Sequence, residues 1–292
     1  MTTATRRQEL GALLRARRGQ LTGGDLGLPD TGRRRAPGLR REEVAALSGV
    51  SVTWYTWLEQ GRDIRPSRQV LDALARTLRL SATEHAYVLS LAGYSAPLPA
   101  PDPAPRTAPA HVQRLLDAQV GLPSFAIAAD WQIVGWNDAY AVLYPGIATV
   151  AAEDRNLLWL VFTDPYVRRL LPHWRQDSRR FLAEFRAEAG PRLGEPSIAA
   201  LVQRLQDASD AFRAGWANHD IEGFSARERL FNHPWSGNLL LEHHQLTPAD
   251  HPDLHVVIYA PVQDGRTPQR WSALLAAVDG TSAGEPADGG NR

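Results

Sequence analysis

No cysteine and no lysine occur in the 292 residues, and methionine appears once. Without cysteine the chain has neither disulfides nor thiolate metal sites. Without lysine every basic residue is arginine, so arginine abundance alone says nothing about bidentate phosphate recognition, and only its distribution counts. No run approaches the ~18 apolar residues needed to span a bilayer. The first residues, Met-Thr-Thr-Ala-Thr-Arg-Arg, lack the apolar stretch of a signal peptide, so a cytoplasmic bacterial protein with no membrane partner is expected.

Enzyme signatures are equally scarce. There is no Gly-x-Gly-x-x-Gly and no phosphate-binding loop. Gly280-Thr-Ser-Ala-Gly284 matches a nucleophile elbow, but in a Gly-, Ala- and Asp-rich tail with no strand before it or helix after it, which reads as chance. His243 and His244 are adjacent in an expected strand and so point to opposite faces; His251 and His255 lie by a proline-containing turn with no helical register. His219-Asp220 reads as a structural histidine before an acid/base pair. No catalytic residue, metal or cofactor is expected, and the chain is not expected to be an enzyme.

What is present is uneven charge. The totals balance at 32 basic and 32 acidic residues, yet residues 1–95 hold 15 Arg against 9 Asp and Glu, net +6, and residues 96–292 hold 17 against 23, net −6. One half is therefore suited to a polyanion and the other is not. Within the basic half, residues 41–60 fit a helix-turn-helix position by position. Val44, Ala45 and Leu47 are expected on the inner face of a first helix, Gly49 takes the turn, and Ser51 caps a second helix that starts near Val52 and buries Tyr55 and Leu58.

That leaves Val52, Thr53, Thr56 and Trp57 facing out, a mix of hydroxyls, a branched apolar group and an indole that suits base edges. Thr53, Thr56 and Trp57 are the base-reading candidates, with Ser51 at the helix start, and Arg40, Arg41 and Arg62 placed to grip phosphates. The bland alternative is an ordinary two-helix corner with an inert surface. The run Arg33-Arg34-Arg35 reads equally as a DNA-binding arm or a solvated loop.

Flanking patterns complete a five-helix bundle. Leu10, Leu13 and Leu14 mark a helix over residues 5–18; Ser67 caps one bearing Val70, Leu71, Leu74 and Leu78; Ser81-Ala-Thr-Glu84 is a capping box for one bearing Tyr87, Val88 and Leu91 and ending at Gly93. Residues 39–45 and 55–62 resemble the Cro/repressor-type domain of bacterial MmyB-like regulators of the XRE class.

Residues 96–110 contain six prolines in fifteen and read as a semi-rigid spacer. The expected organisation is residues 1–95 as the helix-turn-helix domain, 96–110 as linker, 111–275 as a second domain and 276–292 as a disordered tail. In the second domain, a helix over 111–120 precedes strands over 124–129 and 132–136, then Asn137 caps a helix running to Pro145. Helical patterns over 166–189 and 197–217 and strands over 227–232, 238–246 and 254–262 follow.

The order of hairpin, Trp-Asn and helix is how PAS-like sensor domains begin. Phe212-Arg-Ala-Gly-Trp-Ala-Asn-His-Asp220, Phe231-Asn-His-Pro234 and Arg155-Asn-Leu-Leu resemble recurring signatures of the MmyB-like ligand-binding domain. The fold class expected is thus an all-α five-helix bundle plus an α+β PAS-like domain, an antiparallel sheet with helices over one face. The resemblance implies an apolar pocket and fatty-acid-like ligands. Phe125, Trp136, Tyr140, Phe162, Phe181, Phe185, Phe212 and Trp216 are candidates to line it, with Asn137, Arg213 or His219 orienting a head group; plain core packing explains the same aromatic stripes.

The function these readings support is a DNA-binding transcription regulator whose second domain binds a small apolar effector, acting as a homodimer on double-stranded DNA. Two rivals stand beside it: a second domain that only dimerises or recruits a protein without ligand, and an enzyme of small-molecule metabolism fused to a DNA-binding domain.

Overall fold

The computed structural model describes residues 3–27, 38–94 and 106–282. The arginine run at 33–35, most of the proline-rich linker and the end of the tail lie outside the described residues. Contacts divide the chain into two compact units, residues 1–100 with 179–223, and 101–178 with 224–292.

The first unit contains α1 (Thr3–Gln20), α2 (Arg41–Ser48), α3 (Val52–Glu59), α4 (Arg68–Thr77) and α5 (Ala82–Leu91). Local chemistry sets their ends. Gly49 sits at φ 69°, which glycine tolerates without a Cβ penalty. Ser51, Ser67 and Ser81 each accept the backbone N–H three residues on, and Glu84 returns a bond to Ser81 N at 2.6 Å. Leu10, Leu13, Leu14, Val44, Ala45, Tyr55, Leu58, Leu71, Leu74 and Val88 form one core. Gly11 lets α1 touch the end of α3, since a Cβ there would meet the Glu59 carbonyl oxygen at 2.5 Å. Leu47 departs from expectation: α2 buries Val44, Ala45 and Ser48, and Leu47, off that arc, is 47% exposed.

Residues 179–223 complete this unit. They comprise the larger part of α10 (Trp174–Ala189), then α11 (Pro196–Ala208) and α12 (Asp210–Ala217). Ile221 and Ala187 join the same core as α1 to α5. The expected helical pattern over 197–217 breaks at Ser209, whose hydroxyl accepts Phe212 N and starts a new helix.

The second unit holds α6 (Ala110–Asp117), β1 (Ser124–Ala128), β2 (Ile133–Trp136), α7 (Asp138–Leu143), α8 (Leu157–Thr163), α9 (Pro165–Leu170), the start of α10, β3 (Arg227–His233), β4 (Gly237–Leu246), β5 (Leu254–Pro261) and α13 (Thr267–Ser282). The five strands form one antiparallel sheet in the order β2-β1-β5-β4-β3.

Three elements differ from the sequence reading. The 166–189 pattern is two helices, because Leu171 precedes Pro172 and takes an extended conformation. α8 carries no alternation the pattern could use; Asn156 starts it by accepting Leu158 N and Trp159 N. α13 runs to Ser282, into the stretch read as tail. A helix also covers the far side of the sheet, where Val112 and Leu116 of α6 pack on Ala126, Ala128, Val134, Leu254 and Val256.

Candidate functional site

In the first unit α3 presents Val52, Thr53 and Trp57 to solvent, with Thr56 half-buried. Thr56 Oγ1 donates to Val52 O at 2.8 Å, so its hydroxyl proton is used within the helix. Arg62 lies over the Trp57 ring at 5.7 Å, and Arg40 is exposed at the start of α2. Ser51, Thr53, Trp57 and Arg62 are thus gathered on and beside one exposed helix, with Arg40 exposed at the start of α2.

Arg41 is committed elsewhere. Its Nε donates to Glu59 Oε2 at 2.8 Å, beside Arg18 Nε to Oε1 at 2.6 Å. Arg15 donates to the Glu59 carbonyl at 2.9 Å, and the carboxylate is fully buried. Burial pushes the Glu59 carboxyl up, but the Arg18 and Arg41 hydrogen bonds outweigh this and hold it below the ordinary range. Glu59 at the end of α3 therefore fixes the exposed helix through three arginines, a role no spacing rule disclosed.

A second buried network ties residues 179–223 to the bundle. Arg186, fully buried, donates to Glu9 of α1 and, at 2.5 Å, to Trp216 O; its NH1 lies 2.9 Å from His219 Nδ1 and its guanidinium 3.9 Å over Trp216. Tyr87 Oη donates to Glu9 at 3.1 Å. Burial raises the Glu9 carboxyl, yet the hydrogen bond from His219 and the charge of Arg186 bring it below its usual value. Gly190 follows α10, and a Cβ there would fall 1.6 Å from the Tyr87 ring, so only glycine fits that seat.

The expected head-group residues in this unit have other uses. His219, at φ 55°, faces Arg186 and Glu9. Arg213 is exposed, paired with Asp210 and capping α11 at Gln206 O. Phe181, Phe185 and Phe212 are buried, and Phe212 stacks on Trp216 at 5.5 Å.

Phe125, Trp136, Asn137, Tyr140 and Phe162 belong to the second unit. Asn137 is a structural hub: Oδ1 accepts Ser124 N and Tyr140 N, and Nδ2 donates to Leu116 O, Gln119 O and Leu122 O at 2.9–3.1 Å. Its polar capacity is spent within the fold. Trp136 lies under Arg155, and Phe162 meets Trp174 edge-on at 6.0 Å. Phe125 packs on Tyr140 at 4.6 Å and Tyr259 at 6.1 Å, and Phe231 meets Tyr259 at 5.1 Å.

Arg229 and His243, which sequence reasoning did not single out for binding, lie among these rings. Both are buried; Arg229 donates to Tyr259 Oη at 2.9 Å, and the His243 ring is 5.1 Å from Tyr259 and 4.9 Å from Phe224. Burial, then the charges of Arg229 and Arg227, hold the His243 imidazole well below its usual value. The signal was legible in principle: in β3 the alternation puts Arg227, Arg229, Phe231 and His233 on one face, two cations in register with core residues.

Residues 108–275 match the MmyB-like transcription regulator ligand binding domain, and residues 9–88 match a helix-turn-helix domain. The chain belongs to the MmyB-like transcription regulators. No curated protein is similar to it at a significant level. Membership makes this MmyB-like chain a DNA-binding, ligand-responsive regulator in broad terms. Within the stretches that carry the resemblance, Asn156 caps α8, His233 bonds Val142 O, and His219 belongs to the Arg186 network. Among the described residues no helix is long and apolar enough to cross a membrane.

Proposed function

We propose that this MmyB-like chain is a cytoplasmic regulator that binds an acid with an apolar body, a fatty acid or similar molecule, and changes its grip on DNA in response. The carrying observation is the aromatic sheet face of the second unit, where the buried Arg229 guanidinium sets positive potential beside the neutral His243 imidazole, among Phe125, Phe231, Tyr140 and Tyr259. A carboxylate gains most from a guanidinium where water is excluded, and rings accommodate the acyl body. The chain then works by binding and not by turnover.

For such an effector to act on DNA it must favour one conformational state. The fitted element is α10, which begins in the second unit and ends in the first, where Arg186 joins Glu9 of α1. α1 also seats α3 through Gly11 and holds Glu59 through Arg15 and Arg18. We expect a homodimer on a pseudo-palindrome, because one helix-turn-helix makes few contacts. Gel filtration that finds only monomer on and off DNA refutes this.

The test is denaturing mass spectrometry of small molecules extracted from the full chain, followed by DNA titration with and without the molecule found. A stoichiometric acyl acid, lost in Arg229→Met, supports the reading. The exposed Trp235, 72% accessible in the β3–β4 turn, favours a second reading in which this unit docks a protein. A folded chain that retains no small molecule and whose DNA binding ignores added fatty acid shifts weight to it.

A further inference from the structure

One cluster in the second unit belongs to neither the DNA-facing helix nor the aromatic face. His111, in the first turn of α6, meets Asp250 and His251, which lie in the turn between β4 and β5. His111 Nε2 stands 3.0 Å from Asp250 Oδ2, and the two imidazole rings stack at 5.3 Å with planes 20° apart. One ligand atom from each residue falls within 4.8 Å of the other two.

We propose that His111, Asp250 and His251 form a surface site for a divalent cation of the Zn²⁺ class. Two imidazoles and one carboxylate are the donor set that suits zinc and its borderline neighbours, not the all-oxygen set of calcium or magnesium. Three protein ligands leave a position for water, as an open zinc site requires. A cation bound through His111 Nε2 needs the ring's single proton on Nδ1, so that Nε2 and the Asp250 carboxylate both offer it lone pairs.

The scaffold is suited to the task. The turn is held by His251 N to Pro248 O at 3.1 Å and Leu254 N to His251 O at 3.0 Å, and Thr247 Oγ1 lies 2.9 Å from His255 Nδ1. α6 is anchored through Val112 and Leu116 on the sheet. A bound cation would therefore clip the first helix of the ligand-binding domain to the β4–β5 turn. Sequence spacing gave no hint of it, because His111 is remote from the other two residues in the chain and no helical or short-loop register links them.

The experiment is calorimetric titration of tag-free, chelator-stripped full chain with Zn²⁺, with melting curves alongside. The expected result is one saturable site and a raised Tm. Even an outer partner of a metal ligand is worth about 10- to 100-fold in affinity, so His111→Ala and His251→Ala should each weaken binding at least about tenfold, and Asp250→Asn should weaken it too. His244→Ala, outside the cluster, should bind like wild type. All of these side chains are at least partly exposed, so the metal-free variants should melt like the parent, which separates lost ligation from lost folding. Absence of saturable binding, or binding by the His111→Ala and His251→Ala proteins as tight as that of the parent, overturns the site.

Discussion

Replacing Glu9 by glutamine should cost the first unit more than any change on its surface. The substitution keeps shape and leaves Arg186, which has no solvent exposure, with no carboxylate and only His219, the Trp216 carbonyl and the Trp216 ring beside it. Breaking a buried ion pair from one side costs about 3–5 kcal/mol, because a desolvated charge remains. At about 2–4 °C per kcal/mol for a unit of this size, Tm should fall by about 6–20 °C. Arg186→Met should cost less: Glu9 is partly accessible, keeps Tyr87 and His219, and can take up a proton. The double variant should recover part of the loss, since an apolar replacement of a buried pair is often nearly neutral. Urea melts of all four proteins give the coupling, expected at about 2–3 kcal/mol. Additivity within about 0.5 kcal/mol would refute the idea that these two residues hold one another. The Glu9 carboxyl is held below its ordinary value in the fold, so its contribution is present above the unfolded value near 4.5 and is lost as pH falls through the folded one. Glu9→Gln should flatten that acid limb.

Other predictions concern the two sites. Thr53→Ala should reduce preference for one operator base by about 1–3 kcal/mol, whereas Arg62→Ala should weaken specific and random DNA alike and lower the salt slope by about one, both read by fluorescence anisotropy across salt concentrations. Arg41→Ala should lower thermal stability as well as DNA affinity, because it removes a partner of the buried Glu59; an unchanged Tm would contradict that pairing. His243 is held neutral by burial and by its cationic neighbours, so it contributes stability fully present above about pH 6.5 that declines as pH falls below it, and His243→Phe should remove that slope from a pH series of melts. Gly190→Ala should destabilise the chain, since the new methyl group meets the Tyr87 ring, and Tyr87→Ala in the same chain should restore part of the loss.

Much of the fold was readable because it is written in local chemistry. Gly49, Ser51, Ser67, Ser81 with Glu84, and Asn137 in its cap on Tyr140 act through neighbours two to four residues away, and each does in space what its position implies. The strands were legible for the same reason, since the alternation through Leu239, Leu241 and His243 is a property of one segment. What escaped depends on distance along the chain. Glu59 looks like an ordinary helix-end carboxylate until Arg18 and Arg41 arrive, and Arg186 looks like one of many surface arginines until α1 covers it. The partners of the expected head-group residues Asn137 and His219 were hidden in the same way: polar side chains near aromatics invite a ligand, and in the fold both are also engaged with backbone or buried charge within their own units.

The reach of Arg186 back to α1 bears on how such regulators can be recombined. The family boundary falls after residue 88 and before residue 108, and the proline-rich stretch between looks like the natural place to cut. A chimera spliced there would inherit a first helix bearing Glu9 and a fifth bearing Tyr87, with their partners, Arg186 and Gly190, supplied by a different parent. Exchange of sensory halves between relatives should therefore succeed only where Glu9 and Tyr87 travel with the incoming Arg186 and Gly190, so the unit of inheritance is larger than the domain.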